Sequence, residues 1–279
     1  MTDILETLAM LSVLVFVIGS MTSMGLSLKM DQIIAPLKNA KLVVLALLAN
    51  FILVPAVAYL ITLVIPLDES VEIGLILLST AAGAPFLPKL AEVAKGNVAF
   101  SVGLMVLLMV VTIIYLPLVL PLLLSGVEVN PWEIARSLIV MMLIPLAVGL
   151  FINARYEEAA AKIQPTFGQA SNIALLVLTV AGLVLNFSNM IGLVGSLGIL
   201  AGIIFIVTAL IIGYLLGGSE RGIKNVMGLG TAQRNISAAL VVAAQNFDAN
   251  VVTYLMVIAV IGLVVLMPAA GELGIRSAD

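Results

Sequence analysis

The sequence has no cysteine, no histidine and few charges: only 10% of its 279 residues are Asp, Glu, Lys or Arg. The missing thiols exclude disulfides and thiolate chemistry, and the missing imidazoles exclude the usual proton relays and the usual ligands for zinc, copper and haem. We therefore predict no cofactor and no metal centre. With a net charge of −3 and no basic stripe, the chain also gives no sign of a nucleic-acid partner.

Hydrophobic residues, in contrast, make up 63% of the chain, and its mean hydropathy is +1.29. This composition predicts an all-α polytopic membrane protein embedded in a lipid bilayer. A span needs roughly 20 apolar residues, and about nine segments qualify in a single transmembrane domain, 1–279, whose first span we expect to be retained near Met1. The candidates are 8–28, 40–65, 71–95, 97–124, 132–153, 165–187, 191–216, 221–246 and 250–270.

The loop charges predict the orientation of these spans, because Lys and Arg accumulate in short cytoplasmic loops. The opposite connections are mainly acidic, and Arg136 is their only basic residue. We therefore expect the N-terminus outside and the C-terminus in the cytoplasm, in the plasma (inner) membrane. The basic residues assigned to the cytoplasmic side are Lys29, Lys38, Lys41, Lys95, Arg155, Lys162, Arg221, Lys224 and Arg276.

The third candidate span is interrupted near its middle. Gly83, Pro85 and Pro88 break an apolar segment, and Lys89 follows them. Lipid tolerates irregular backbone only where protein or a water-filled cavity satisfies the freed amide groups. A broken helix with a charge beside the break therefore indicates a functional site.

The eighth span carries a second interruption, where Gly228 and Gly230 are expected to loosen the helix. Gly228 precedes Arg234 by six residues, the same spacing that separates Gly83 from Lys89. Transporters built from inverted repeats place broken helices at equivalent points of their two halves. This predicts a first repeat at about 1–126 and a second at about 127–279, with the broken helices in register.

Three stretches of the chain resemble the bile acid:sodium symporter family of secondary transporters. They are MGLSLKMDQIIAPLKNAKLVVLALLANFILVP, AEVAKGNVAFSVGL and QRNISAAL. The resemblance implies a core bundle with two crossing broken helices, a panel bundle that moves against it, and transport of organic anions such as bile acids or small carboxylates. It covers nearly the whole chain.

The resemblance also identifies where sodium ligands are expected, and this chain departs from the family there. The family's acidic residue on the second broken helix falls at Gly230, its glutamine at Arg234, and its serine-asparagine pair at Leu87 and Pro88. Met105 takes a further ligand position, which leaves oxygen-bearing side chains only at the candidate ion-binding residues Asn50 and Ser101. Sodium needs several hard oxygen ligands. We therefore expect ligand binding and transport to be nearly independent of sodium.

Lys89 and Arg234 each have a structural and a functional interpretation. Lys89 can join Glu92 and Lys95 in an intrahelical ladder, or face the crossing and meet an anion. Arg234 has no acidic neighbour within one turn, so it needs a partner such as Glu92 or backbone carbonyls, or else binds substrate. The full set of candidate substrate-binding residues is Lys89, Arg234, Asn235, Gln233, Thr231, Pro85 and Phe86.

Three classes of function remain at this point. The leading hypothesis is a secondary transporter that moves a small organic anion by alternating access. The alternative is a receptor or scaffold that retains the transporter fold without transporting. An enzyme is not expected, because intramembrane catalysis needs paired acids, a nucleophile and base, or a metal motif, and the membrane interior offers only Glu92 and Glu72.

Overall fold

The computed structural model describes residues 2–34, 38–124, 130–185 and 197–277, and all regular secondary structure within these ranges is helical. Six of the helices formed by these residues are long and apolar enough to cross a membrane. The membrane class and the all-α fold are therefore confirmed, whereas the count of nine spans and the inverted repeat remain predictions. The six spans are Met10–Ser27, Ala40–Val64, Val98–Leu123, Pro131–Arg155, Gly198–Leu216 and Ala249–Arg276.

Seven of the α-helices that the structure describes lie in the first half of the chain. Asparagine side chains cap two of them, because Asn39 accepts a hydrogen bond from the amide of Leu42 and Asn97 accepts one from Phe100. A π-helical turn, Ala49–Leu53, joins the third helix to the fourth. The helices are α1 (Thr2–Ser27), α2 (Met30–Ile34), α3 (Ala40–Leu48), α4 (Val54–Val64), α5 (Glu69–Thr80), α6 (Leu87–Val93) and α7 (Val98–Leu123).

Another seven α-helices lie in the described part of the second half. Pro131 opens the first of them at a position where no amide donor is needed, and a second π-helical turn, Ile139–Leu143, follows it. The helices are α8 (Pro131–Leu138), α9 (Ile144–Arg155), α10 (Glu157–Leu185), α11 (Gly198–Leu216), α12 (Arg221–Ala232), α13 (Ile236–Asn246) and α14 (Ala249–Arg276).

The predicted spans match these helices closely, with three corrections at their ends. Helix α1 begins at Thr2 rather than at 8. Helix α10 begins at Glu157 rather than at 165, and α14 continues to Arg276 rather than stopping at 270. The end of the sixth predicted span, 186–187, and the start of the seventh, 191–196, lie outside the described residues.

Helix α1 packs against α9 and α10 through small residues, and side chains of α9 and α10 donate hydrogen bonds to backbone carbonyls in and just after α1. Gly25 lies against the backbone of α9 so closely that a Cβ atom would overlap the carbonyl of Leu146. The side chain of Asn153 donates to the carbonyl of Leu28 at 2.8 Å, and Ser171 on α10 donates to the carbonyl of Phe16 at 2.9 Å. These three helices form one group of helices, and the interrupted pairs α5–α6 and α12–α13 lie in another.

Two polar contacts join the ends of neighbouring helices. Ser70 donates to the carboxylate of Asp248 at 3.3 Å, which places the start of α5 beside the start of α14. Lys29 forms an ion pair with Glu157 at 2.6 Å, and Glu157 raises the pKa of Lys29 through this hydrogen bond and its charge. Each contact joins the ends of two neighbouring helices; which side faces the cytoplasm stays a prediction.

Candidate functional site

The first interruption is a short segment of irregular backbone at residues 81–86, between α5 and α6. Gly83 has a φ of +80°, a conformation that residues with a side chain rarely adopt, and it packs directly on the backbone amide of Met109 in α7. The hydroxyl of Thr112 accepts from the amide of Ala82 at 2.9 Å and donates to its carbonyl at 3.1 Å. Helix α7 thus satisfies backbone groups that the break releases, as a site inside a membrane requires.

The second interruption lies at residues 233–235, between α12 and α13, and not at Gly228 and Gly230 as the sequence predicted. Both glycines are inside α12, where they allow close packing. A Cβ atom at Gly228 would meet Tyr214 and Leu210 of α11, and one at Gly230 would meet Leu87. The equal spacing of Gly83–Lys89 and Gly228–Arg234 therefore does not reflect equivalent positions, because Lys89 lies in α6 and Arg234 lies in the break.

Asn235 fastens the two interruptions together. Its backbone amide donates to the carbonyl of Ala81 at 2.9 Å, and its side-chain amide donates to the carbonyl of Gly83 at 3.0 Å. Its side-chain oxygen accepts from the amide of Ala238 and so caps α13. The two broken helices therefore cross at their breaks. The backbone amide, the side-chain nitrogen and the side-chain oxygen of Asn235 all form hydrogen bonds at this crossing.

Arg234 is buried at the same crossing, with only 4% of its surface exposed. Its guanidinium group donates four hydrogen bonds to oxygen atoms from three parts of the chain. Nε donates to the carbonyl of Leu78 at 3.1 Å and Nη2 to that of Ser79 at 2.6 Å. Nη1 donates to Oδ1 of Asn50 at 2.8 Å and to the carbonyl of Thr231 at 3.1 Å.

The partners of Arg234 are thus backbone carbonyls and one amide oxygen, and not Glu92. Among the described residues it forms no ion pair with a carboxylate. The carbonyls of Leu78 and Ser79 belong to the C-terminal end of α5, and that of Thr231 belongs to the C-terminal end of α12. Each helix C-terminus carries about half a negative charge, so the two together offset about one positive charge.

Asn50 is positioned by the π-helical turn that precedes Pro55. Pro55 is the residue whose amide would bond the carbonyl of Phe51 in an α-helix, and proline has no amide hydrogen. The carbonyl of Phe51 accepts a hydrogen bond from the hydroxyl of Tyr115 at 2.6 Å instead. The side-chain nitrogen of Asn50 donates to the carbonyl of Ala46 and to the hydroxyl of Thr231 at 3.3 Å. This arrangement aims Oδ1 of Asn50 at Arg234.

Most of the positions at which the family resemblance implies sodium ligands carry no side-chain oxygen here. Leu87 and Met105 are buried at 1% exposure and supply carbon and sulfur instead of oxygen. Leu87 also lies against Gly230, within 2.9 Å of where a Cβ atom would stand. Ser101 is buried, but its hydroxyl donates to the carbonyl of Val98 in its own helix at 2.6 Å. Asn50 is already bound to Arg234.

A cavity of about 460 Å³ separates α1 and α10 from the first broken helix and α7. Its volume is in the range of small-molecule sites. Pro85, Pro88 and Lys89 line one side of it, and Val102 and Met105 of α7 lie beside them. The opposite wall, formed by α1 and α10, is lined by Ser20, Ser23, Met24, Ser27, Leu28, Gln164, Gly168, Ser171 and Asn172.

Lys89 is the one charged residue among those that line this cavity. Its ammonium group also pairs with Glu92 at 2.8 Å, and both side chains are more than half exposed. Because an exposed ion pair is weak, the pairing leaves the ammonium available to an incoming anion. The two interpretations of Lys89 are therefore compatible in this structure.

The seven candidate substrate residues fall into separate places. Lys89 and Pro85 line the cavity, whereas Arg234, Asn235 and Thr231 are buried in the crossing and bonded to protein atoms. Gln233 lines a much smaller void of about 20 Å³, and its Oε1 is buried there without a hydrogen-bond partner. Phe86 is 38% exposed.

The sequence reasoning missed the polar wall formed by α1 and α10. Ser20, Ser23 and Ser27 recur at intervals of three and four residues, which places them on one face of α1. Gln164 donates to the hydroxyl of Ser23 at 2.9 Å and links this face to α10. The helical spacing of the serines is the signal that could have identified the wall.

Comparison with known proteins supplies the relatives of this chain. The chain is 24% identical over 197 residues to the probable sodium/metabolite cotransporter BASS3, chloroplastic, of Oryza sativa subsp. japonica, covering 70% of this chain and 47% of that protein. It is 23% identical over 234 residues to the protein of the same name in Arabidopsis thaliana, covering 81% and 54%. It is 26% identical over 200 residues to the uncharacterized sodium-dependent transporter YocS of Bacillus subtilis (strain 168), covering 71% and 60%.

The chain thus spans about half the length of the curated relatives it matches. A family model, in addition, matches residues 13–193, which is more than half of the 279 residues and includes the first broken helix, Asn50 and Lys89. By this match the chain belongs to the Sodium Bile acid symporter family.

Proposed function

We propose that the chain is a secondary transporter that moves a small organic anion, a carboxylate or a bile-acid-like molecule, across the membrane by alternating access. The names of the relatives, which describe sodium/metabolite cotransporters and a sodium-dependent transporter, support transport as the activity. The observation that supports the proposal most strongly is the cavity between the two groups of helices, with hydroxyl groups on one wall and Lys89 on the other.

The chemistry of the cavity favours a monoanion with hydroxyl or carbonyl groups. Ser20, Ser23 and Ser27 supply hydroxyls along one wall, Gln164 supplies an amide, and Lys89 supplies the positive charge opposite them. A charge-assisted hydrogen bond from an ammonium group to a carboxylate is about twice as strong as a neutral one. In this proposal Lys89 binds the acid group and the hydroxyls bind the rest of the molecule.

The position of the cavity fits alternating access. It lies between α1 and α10 on one side and the first break with α7 on the other. A relative movement of these two groups of helices changes the shape of the cavity, while the crossing held by Asn235 stays intact. The alternative function, a receptor that binds without transporting, uses the same cavity and differs only in this movement.

Uptake by purified protein in liposomes tests the proposal, with labelled cholate and a set of labelled short monocarboxylates as probes. We expect saturable uptake of at least one probe, and we expect Lys89→Gln to weaken its apparent affinity about tenfold, because a charged hydrogen bond is lost. Lys41→Gln is the matched control, since Lys41 is an exposed lysine at the start of α3.

Binding without uptake would favour the receptor. No binding of any probe, or equal affinity in the Lys89→Gln variant and the wild-type protein, would contradict the proposed site.

A further inference from the structure

Four oxygen atoms surround the guanidinium of Arg234. All are neutral carbonyl or amide oxygens, from Asn50, Leu78, Ser79 and Thr231. Hard monovalent and divalent cations are coordinated in proteins by such oxygens. The C-terminal ends of α5 and α12 add negative potential at the same point. The site therefore attracts positive charge independently of the side chain that fills it.

The shell is held in place by elements that do not depend on Arg234. Leu78 and Ser79 lie at the end of α5, Thr231 lies near the end of α12, and Asn50 lies in the π-helical turn. Asn50 is also fixed through its own side-chain nitrogen, which bonds the carbonyl of Ala46 at 3.0 Å. The four oxygens thus converge from three separate parts of the chain.

The surroundings of Gly230, which is close to the oxygen shell along α12, are apolar. The space next to Gly230 is filled by the side chains of Leu87 and Leu104. Met105 is buried beside them in α7. An apolar surrounding of this kind makes an unpaired charge expensive.

We propose that Arg234 is a tethered cation: its guanidinium occupies the oxygen shell formed by Asn50, Leu78, Ser79 and Thr231, so that no free sodium ion binds there. The positive charge of the Arg234 guanidinium is then a permanent part of the protein. Removal of the guanidinium should convert the shell into a site for a free monovalent cation. This proposal concerns ion binding alone, so it stands or falls separately from the identity of the substrate.

Thermal unfolding of purified protein, without substrate, tests it. The melting temperature of the wild-type protein is measured in sodium, potassium and N-methylglucamine chloride at equal ionic strength, and we expect the same value in all three. Arg234→Ala should melt lower in N-methylglucamine chloride, since four buried oxygens lose their donor. Millimolar guanidinium or sodium should then raise its melting temperature saturably by several degrees, because a ligand that binds the folded state stabilises it.

Arg221→Ala is the matched control. Arg221 is an exposed arginine at the start of α12 that donates to the carbonyl of Arg276 at 2.7 Å, and its variant should show no cation-specific response. A saturable, sodium-specific stabilisation of the wild-type protein would overturn the proposal, and this arm needs no variant to fold. So would an Arg234→Ala protein that folds but responds to guanidinium, sodium and potassium no more than Arg221→Ala does.

Discussion

The guanidinium of Arg234 donates to the side-chain oxygen of Asn50 across 2.8 Å, although the two residues are 184 positions apart in the chain. Asn50 lies in a π-helical turn and Arg234 lies in a helix break, so both sit where regular helical hydrogen bonding is interrupted. Such interruptions are frequent at functional sites. This contact links the second span to the crossing of the two broken helices.

Removal of the Asn50 side chain should destabilise the folded protein. Asn50→Ala leaves Nη1 of Arg234 with the carbonyl of Thr231 as its remaining partner, and loss of a hydrogen bond to a buried charged group costs about 1.5 to 3 kcal/mol. Denaturation of the purified variant measures this change. Asn172→Ala is the control, because Asn172 is exposed and should change stability little. Equal stability of the two variants would mean that the Asn50 contact contributes nothing.

A methyl group at Gly83 should damage the first break. The positive φ of this residue disfavours any side chain by about 1 to 2 kcal/mol, and the added carbon would overlap the backbone of Met109. We expect Gly83→Ala to lower the melting temperature strongly or to prevent folding. Gly271→Ala, in helix α14, is the matched control because no atom lies within 4 Å of its Cβ position. A Gly83→Ala protein as stable as Gly271→Ala would contradict the described geometry.

The orientation of the chain is open to a labelling test that its lack of cysteine makes simple. Single cysteines at Asp68 and Asp248 should react with a membrane-impermeant thiol reagent added outside the cell, and those at Lys38 and Lys224 should not. The hydrogen bond between Ser70 and Asp248 places the first two at the same end of the molecule. Labelling of Lys38 and Asp68 variants from the same side would refute the orientation.

The sequence predicted the first break well but misplaced the second, and the reason is physical. At the first break Gly83 is needed for its backbone conformation, Pro85 lies in the irregular segment and Pro88 lies in the first turn of α6, so the residues mark the interruption themselves. In α12 the glycines instead make room for neighbouring helices, and the helix runs on to Ala232. A glycine in a membrane helix indicates either use, and only the packing decides.

The partners of Arg234 could not be read from the sequence for a different reason. Backbone carbonyls are present at every residue, so the identity of the amino acids at 78 and 79 does not mark their carbonyls as acceptors. Their availability depends on where α5 ends, at Thr80, and on the crossing that brings this end to Arg234. The requirement for a buried partner was predictable, whereas the identity of the partner required the fold.

In the proposed transporter, a positive charge built into the protein takes the place of a bound sodium ion during the transport of an organic anion. The most direct measurement is the initial rate of labelled cholate and monocarboxylate uptake into proteoliposomes. Rates are compared between an inward sodium gradient and an equal potassium gradient, with the membrane potential clamped at the same value. The account predicts equal rates under the two gradients for every probe that is transported, and uptake that requires the sodium gradient would contradict it.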